Sequence, residues 1–293
     1  MIVKFLPSLL ILMNIIPKLP SKVVTQCKVV CKDWLVYLST PEFAMNHCRF
    51  MRRLGDHKII AVNRLLCDIR YVGNESPKCF LGDKVHIPFT AHPCNILFLA
   101  SLDGMVCVCL INTGELVIWN PLTRVFKMLS NSNSQGFFNP NQDSLGFCVR
   151  SSGDYNIVHI KRTHMMLAIN IYSLSEGSWS TPMFSNYSLF NVDVYSWSVG
   201  TFCANCLYFV LTRLWCVGNA CVLRLDVDSR VISDVGFPDT MDVEATGHLV
   251  SIRDQLHMLV SIGFYSVNMK LWKLENEKWS KVFFFVHLLF LCH

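Results

Sequence analysis

Four thiols fall close together late in the chain: Cys203 and Cys206 as a C-x-x-C pair, then Cys216 and Cys221. Zinc accepts four thiolates, and a C-x-x-C knuckle is a common half of such a site. Between the first pair, however, Ala204-Asn205 fits the turn of a hairpin joining strand-like residues 201–202 and 207–211. Thiols at strand ends pack as small hydrophobes, so buried free thiols and no metal are expected. Asp226 and Asp228 could be paired for acid–base work, yet they flank a turn, where carboxylates accept backbone N–H bonds. The sequence contains no Gly-rich phosphate loop, H-E-x-x-H or G-x-S-x-G. Its ten histidines show no tight ligand spacing. Trp197, Trp215 and Phe138 fit recognition loops or a core equally well. The chain therefore reads as non-catalytic, with neither cofactor nor metal.

Composition points the same way. Charged residues make up 16% of the 293 and apolar residues 52%, against a globular norm of about 25% charged. That excludes a disordered chain and suits broad sheet cores or apolar contact surfaces. The net charge of +5 is scattered, and Arg52-Arg53 and Lys161-Arg162 are the densest basic spots. Both are too short for a nucleic-acid footprint. Many of the 14 cysteines lie in apolar strand-like runs, such as Cys107 and Cys109 within 105–111. A disulfide framework belongs to short secreted domains, so a reducing compartment, cytoplasm or nucleus, is expected. An apolar run at 5–16 is broken by Pro7 and Asn14 and lacks a small-x-small cleavage site. The apolar run at 282–292 has about half the roughly 20 residues that cross a bilayer, so no membrane partner is expected. With no turn signal after it, this run reads as a chain that stops mid-domain.

The elements that would position these residues change character along the chain. Val24, Cys27, Val30, Cys31, Trp34, Leu35 and Leu38 recur at three- and four-residue steps, with Lys28, Lys32 and Asp33 on the other face. That is helical periodicity. Ser39-Thr40-Pro41 stops it, and Thr40 with Pro41 can cap a further short helix carrying Phe43. Ahead lies an apolar segment at 9–16, closed by Pro17 and Pro20. Two or three short helices in about 45 residues rarely stand without a partner or neighbouring domain. The module is either a helical cap on the adjoining domain or a docking element.

Its residues carry a specific pattern. Ile15-Ile16-Pro17-Lys18-Leu19-Pro20-Ser21-Lys22, then Lys28-Val29-Val30-Cys31-Lys32-Asp33-Trp34, then Ser39-Thr40-Pro41-Glu42-Phe43 resembles the plant F-box motif, block by block and without gaps. The family pattern breaks near Lys28, so two short helices are expected there. The resemblance implies binding to a Skp-type adaptor and, through it, a cullin. It also implies that Leu19, Pro20, Val24, Cys27, Val30, Cys31 and Trp34 form the module's core and adaptor-facing set, which the sequence does not divide. Leu9, Leu10 and Asn14 stand where family members are commonly acidic. A second reading is thus a free-standing interaction module with a degenerate F-box.

Downstream the period shortens to two. Strand-like runs at 105–111, 115–119 and 125–129 are separated by turn residues. The unit recurs: Tyr172-Ser173-Leu174, four residues, then Trp179-Ser180 matches Trp272-Lys273-Leu274, four residues, then Trp279-Ser280, with a thinner copy at 222–232. Trp119, Tyr172, Leu223 and Trp272 are spaced 53, 51 and 49 residues apart. About four strands per 50 residues is a kelch-like propeller period, and it outweighs a β-sandwich with coincidental spacing. Residues 58–62, 85–89 and 96–100 could supply further strands.

This region is also similar to the F-box-associated β domain of plant F-box proteins. Gly104 in Leu102-Asp103-Gly104-Met105-Val106-Cys107, and Ile118-Trp119-Asn120-Pro121-Leu122-Thr123-Arg124, match its hallmark blocks. Asn120, Pro121 and Thr123 are turn formers, Trp119 a strand anchor and Arg124 a loop-to-strand hydrogen-bond donor, all structural roles. The expected architecture is mostly β with a small N-terminal α module: an F-box over 1–50, a connector over 51–95 and an incomplete kelch-like β-propeller over 96–293. The expected function is substrate recognition in a Skp–cullin–F-box ubiquitin ligase, with an unknown target protein and no nucleic acid.

Overall fold

Prolines and one short turn decide where the helices begin and end. The computed structural model describes residues 10–53, 59–63, 68–72, 85–121, 124–129, 143–163, 166–185, 195–213, 220–238, 245–252, 254–262 and 269–285. A wound segment of Ile11–Ile15 and Ile16–Lys18 leads to helix α1, Ser21–Cys27. At residues 28–30 the N–H groups turn back to Thr25, Gln26 and Cys27 carbonyls at 3.2–3.3 Å. Cys31 is then extended, and α2 runs Lys32–Leu38. The two helices and the break near Lys28 are as the motif implied. Helix α3, Pro41–Arg53, is longer than expected at 13 residues. Neither Gly nor Pro follows Pro41 until Gly55, so nothing in the sequence stops it earlier.

The rest is β. Strands β1 (Ile59–Asn63) and β2 (Asp68–Val72) pair antiparallel. Residues 85–89 form no strand, because Pro88 has no N–H to give a ladder. Phe89 instead packs edge-on against Trp119 at 5.7 Å and beside Phe126 at 5.6 Å. Four larger sheets follow in chain order, each an antiparallel meander. Sheet I holds β3 (Ile96–Leu102), β4 (Met105–Leu110), β5 (Glu115–Trp119) and β6 (Phe126–Leu129). Sheet II holds β7 (Asp143–Val149), β8 (Tyr155–Arg162) and β9 (Leu167–Ser173), with β10 (Ser178–Trp179) and β11 (Met183–Ser185) both paired to β9. Sheet III has β12 (Tyr195–Trp197) and β13 (Thr201–Cys203) on β14 (Cys206–Arg213), then β15 (Ala220–Asp226) and β16 (Ile232–Asp234). Sheet IV is β17 (Ala245–Ile252), β18 (Gln255–Ile262), β19 (Met269–Glu275) and β20 (Lys278–Phe285).

The fold is thus mostly β, with several antiparallel sheets and a few short helices. The four repeat residues occupy matching places: Trp119 in β5, Tyr172 in β9, Leu223 in β15 and Trp272 in β19 are each on the third strand of their sheet. Trp119 and Tyr172 are fully enclosed. The hallmark turns are where the sequence put them. Asp103 and Gly104 both have positive φ (48° and 76°) between β3 and β4, the two-residue turn that an Asp-Gly pair favours. Asn120 and Arg124 close the turn after β5 through the Arg124 N–H to the Asn120 carbonyl at 2.8 Å. Arg124 has φ 63° and donates from its backbone, a different form of the donor role expected of it. Pro121 is buried, and Thr123 lies outside the described residues.

Two compact units partition the chain: residues 1–97, 101–112 and 117–128 in one, residues 98–100, 113–116 and 129–293 in the other. Within the second, sheets stack face to face. One side of sheet II, including Val158, Ile160 and Ile169, closes on Leu207, Phe209 and Leu223 of sheet III. The other side of sheet III, with Tyr208, Val210 and Val222, closes on Leu256, Met258 and Val260 of sheet IV. Sheet III is covered on both faces, which is why β14 is a near-continuous apolar run. The inner strands of II and III touch directly. Gly146 and Gly200 form a parallel bridge, and the Gly200 N–H donates to the Leu145 carbonyl at 2.8 Å. A Cβ on Gly200 would sit 2.6 Å from the Phe209 ring and 2.9 Å from the Gly146 backbone, so only glycine permits the approach.

Most described cysteines are free, and Cys107, Cys109, Cys148, Cys203 and Cys206 are buried. Burial pushes the thiols of Cys109 up to about 11 and of Cys148 up to about 12. Cys94 differs: it is disulfide-bonded, so the free-thiol expectation does not extend to it.

Candidate functional site

In the helical module, the residues of the F-box-like pattern separate into two sets by burial. Val24 is 6% exposed, and with Leu12, Ile16, Leu38 and Phe43 it makes a small core. Leu19, Cys27 and Trp34 are partly buried against that core. Pro20, Val30 and Cys31 are exposed, Val30 by 61%. Periodicity could not make this division, since Val24 and Val30 are the same residue type at helical spacing.

Local chemistry explains which side faces in. The Pro20 carbonyl accepts the Val24 N–H at 3.1 Å, starting α1 so that Val24 and Cys27 point inward. Thr40 Oγ1 accepts the Phe43 N–H at 3.2 Å and donates to the Tyr37 carbonyl at 2.8 Å. This N-cap bond fixes the α2–α3 corner. Tyr37 then meets Phe43 edge-on at 5.6 Å, and Phe43 stacks on His47 at 5.9 Å. Buried His47 donates from Nε2 to the Leu19 carbonyl at 2.8 Å, tying α3 back to the Leu19-Pro20 step.

The outward side is apolar as well. Val29 is 86% exposed, and Val23, Val30, Leu35 and Val36 are also exposed, as are Leu10, Met13 and Ile15 on the leading segment. Val36 escaped the periodic reading because it lies off the phase of Val24 and Leu38. An apolar residue out of phase on a short helix was the available signal. Exposed single hydrophobics are ordinary, but eight in so small a module are not. Lys28 and Lys32 bracket Val29, Val30 and Cys31 in the chain, and exposed Lys18 precedes them. The acids of α2 and early α3 are Asp33 and Glu42. Such a surface can bury apolar area against another protein.

Other candidates resolve into structure. Ala204 and Asn205 have φ of 47° and 62° and form the hairpin turn expected of them, with Cys203 directly opposite Cys206. Asp226 Oδ1 accepts the Ser229 N–H at 2.7 Å and hydroxyl at 2.8 Å and the Asp228 N–H at 3.1 Å. The Ser229 backbone bond holds its carboxyl below the usual carboxylate range. Asp228 accepts from Asn205 Nδ2 at 2.9 Å and from Arg150 Nε and the Ser151 N–H, both at 3.4 Å. The Asn205 bond is the main reason its carboxyl is also lowered. Both act as turn and inter-sheet acceptors. Trp197 is buried, edge-on to Phe209 at 6.5 Å, while Trp215, Phe138 and Cys216 lie outside the described residues. Among the described residues, no three His, Cys, Asp or Glu converge on a metal-sized site. No described helix is long and apolar enough to cross a membrane.

Comparison with known proteins finds two plant F-box proteins among the chain's distant relatives. The chain is 23% identical over 182 residues to "Putative F-box only protein 15" of Arabidopsis thaliana, covering 57% of this chain and 44% of that one. It is 24% identical over 182 residues to "F-box/WD-40 repeat-containing protein 1" of the same plant, covering 57% and 41%. The chain is distantly similar to F-box proteins. It spans less than half the length of either relative. No family model matches. Among solved structures, TolB from Acinetobacter baumannii aligns over 76% of this chain and 51% of its own at 13% identity and a TM-score of 0.44. Hydrazine synthase from Kuenenia stuttgartiensis aligns over 77% and 62% at 10% identity and a TM-score of 0.45. At those scores neither adds to what the sheets themselves establish.

Proposed function

We propose that this chain is a non-catalytic substrate-recognition subunit of a Skp–cullin–F-box type ubiquitin ligase. The helical module docks on a Skp-type adaptor, which brings the cullin. Sheets I–IV are blades of a kelch-like β-propeller whose loops hold a target protein. The chemistry belongs to other subunits, and this chain contributes proximity. The working compartment is the cytoplasm or nucleus. The observation that carries this reading is the exposure of Val29, Val30, Leu35 and Val36 on the module whose sequence follows the F-box pattern. Stranded apolar area of that kind is what an adaptor would cover.

The test is binding of the full chain to a purified Skp-type adaptor. Val24 is core, so a charge there reports on folding and not on docking. Val30→Asp and Val36→Asp place a charge on the exposed side, where burial in an interface would cost several kcal/mol. We expect both to abolish binding while circular dichroism stays unchanged. A folded parent chain that fails to bind at tens of micromolar, about −6 kcal/mol, removes the ligase role and leaves a free-standing interaction module.

A further inference from the structure

The outermost strand of each larger sheet pairs on one side and, among the described residues, leaves its other side open. An open edge invites another chain, and proteins blunt it with short strands, charges and bulges. Sheet II ends on β10 and β11, of two and three residues, and sheet III on β16, of three. Strand β20 of sheet IV is longer, but its register slips against Leu271 and Trp272, and it exposes Lys278 and Lys281. At each of these edges the described side chains include one exposed large apolar residue: Phe184, Val231 or Val282. Sheet I differs. Val125, leading into β6, is 67% exposed, and Phe126 and Met128 within the strand are 38% and 45% exposed. Successive strand residues point to opposite faces, so one buried face would hide part of this set. Here residues of both faces are exposed, although Phe89 lies beside the Phe126 ring at 5.6 Å.

The backbone decides which groups face outward there. The Asn120 N–H donates to the Val125 carbonyl at 2.8 Å, so the main chain of Val125 faces β5. Main-chain groups alternate in direction along a ladder, so Phe126 and Met128 turn their N–H and C=O groups away from β5. The charge around them has one sign. Arg124 and Lys127 are exposed, and the sequence holds no acid between Glu115 and Asp143. Glu115, the one acid within the strands of sheet I, takes the Thr113 hydroxyl at 2.8 Å. We propose that β6 is a strand-addition site for an extended segment of a partner protein in which apolar and acidic residues alternate. The segment pairs its backbone with Phe126 and Met128. Its apolar side chains lie opposite those two residues on one face, and its carboxylates reach Lys127 on the other, with Arg124 at the end of the strand. A second copy of this chain, paired edge to edge, would bring the same cations together and suits the edge less well.

In the proposed function this segment belongs to the target, and only that assignment rests on it. The test needs no adaptor, so the two can fail separately. The probe is a fluorescein-labelled, alternating Val-Glu peptide of about ten residues, the length of a long strand, titrated against the full chain by fluorescence anisotropy. We expect it to bind at about 10–100 µM, and its Val-Lys counterpart to bind at least about tenfold more weakly. With Val opposite Phe126 and Met128, the Val N–H groups point at β6. N-methylating the valines should therefore abolish binding, and N-methylating the glutamates should leave it. Met128→Pro removes an outward N–H and spares the β5 ladder, so it should lose the peptide while keeping the parent's circular dichroism. Should that variant misfold, the two N-methylated peptides decide the matter on the parent chain. Arg124→Asn, which tolerates the positive φ, combined with Lys127→Gln removes two exposed ion pairs worth a few-fold each and should weaken binding about tenfold. The inference is overturned if the parent does not distinguish the two charged peptides, if N-methyl valine is tolerated, or if folded Met128→Pro binds as well as the parent. It is equally overturned if sedimentation shows the parent to be a dimer that Met128→Pro dissociates, since a second copy would then hold the edge.

Discussion

In the helical module Val29, Val30, Leu35 and Val36 stand in solvent, whereas in sheet III the run from Cys206 to Leu211 is closed on both faces. Both stretches are rich in apolar residues, although Lys32 and Asp33 interrupt the helical one. The difference is how many layers each element can find. A strand of sheet III presents alternate residues to sheets II and IV and satisfies its backbone in a ladder. Each short helix of the module has one small core to face, and the remainder of its surface is left over. Apolar residues kept on that leftover surface cost solubility and give the fold nothing. They make sense as contact area held for another protein.

The sharpest way to test the enclosed half of this comparison is at Gly200. A methyl there would meet the Phe209 ring and, more seriously, the Gly146 backbone. Backbone cannot rotate away, so sheets II and III must separate. Gly200→Ala is expected to cost about 3 kcal/mol, the upper range for overpacking. Gly146→Ala is the milder control, because its Cβ would meet the Leu207 methyls at 2.8 and 2.9 Å, the far end of a flexible side chain. Urea titration of both variants measures the difference. Equal and small losses would mean that the two sheets are not packed as closely as Gly200 requires.

Neither glycine is conspicuous in the sequence, and the reason is general. Their constraint comes from a contact 54 residues apart in the chain, and no local pattern records it. What the sequence does record is whatever an element settles with its own neighbours. Trp119, Tyr172, Leu223 and Trp272 were aligned by spacing alone because each repeat contains its own turns, such as Asp103-Gly104, and its own alternation. The break near Lys28 and the Thr40 cap were legible for the same reason. The partition of Leu19, Pro20, Val24, Cys27, Val30, Cys31 and Trp34 into core and surface was not, since it depends on where α3 folds back, through Phe43 and His47. Residues 85–89 read as strand from their apolar character, and Pro88 outweighed it. The Cys206–Arg224 contact joins two strands 18 residues apart and was likewise invisible.

A smaller effect is expected at the link between sheets II and III made by Asp228. Hydrogen bonds from Asn205, and from Ser151 and Arg150, hold its carboxyl below the usual range. A lowered folded pKa means that the group stabilises the fold above its unfolded pKa of about 3.9. That contribution is lost as the pH falls through the folded value. Because the side chain is open to water, the effect is modest. Asp228→Asn should therefore be somewhat less stable than the parent at pH 7, and the gap should close below about pH 4. Thermal midpoints taken between those limits decide it. A gap that persists unchanged into acid would mean that the charge has no part in joining the sheets.

The least effect of all is expected on the open half of the comparison, and that is its value. Val29 is 86% and Val36 69% exposed, so folding removes little of either from water. A fully buried Val contributes about 1.5–3 kcal/mol, and the small fraction covered here scales that down to a few tenths. Ser and Val have similar helix propensities, so Val36→Ser brings no compensating backbone penalty, and Val29 sits in a turn that Ser suits. The double variant Val29→Ser with Val36→Ser should therefore keep its urea midpoint within about 0.5 kcal/mol of the parent. A loss above about 1.5 kcal/mol, half or more of a buried valine, would show that the surface is already covered within the chain. No apolar area would then be waiting for an adaptor, and the module would be a cap and not a docking element. A silent double variant with weakened adaptor binding would place the cost of these two valines in the complex alone.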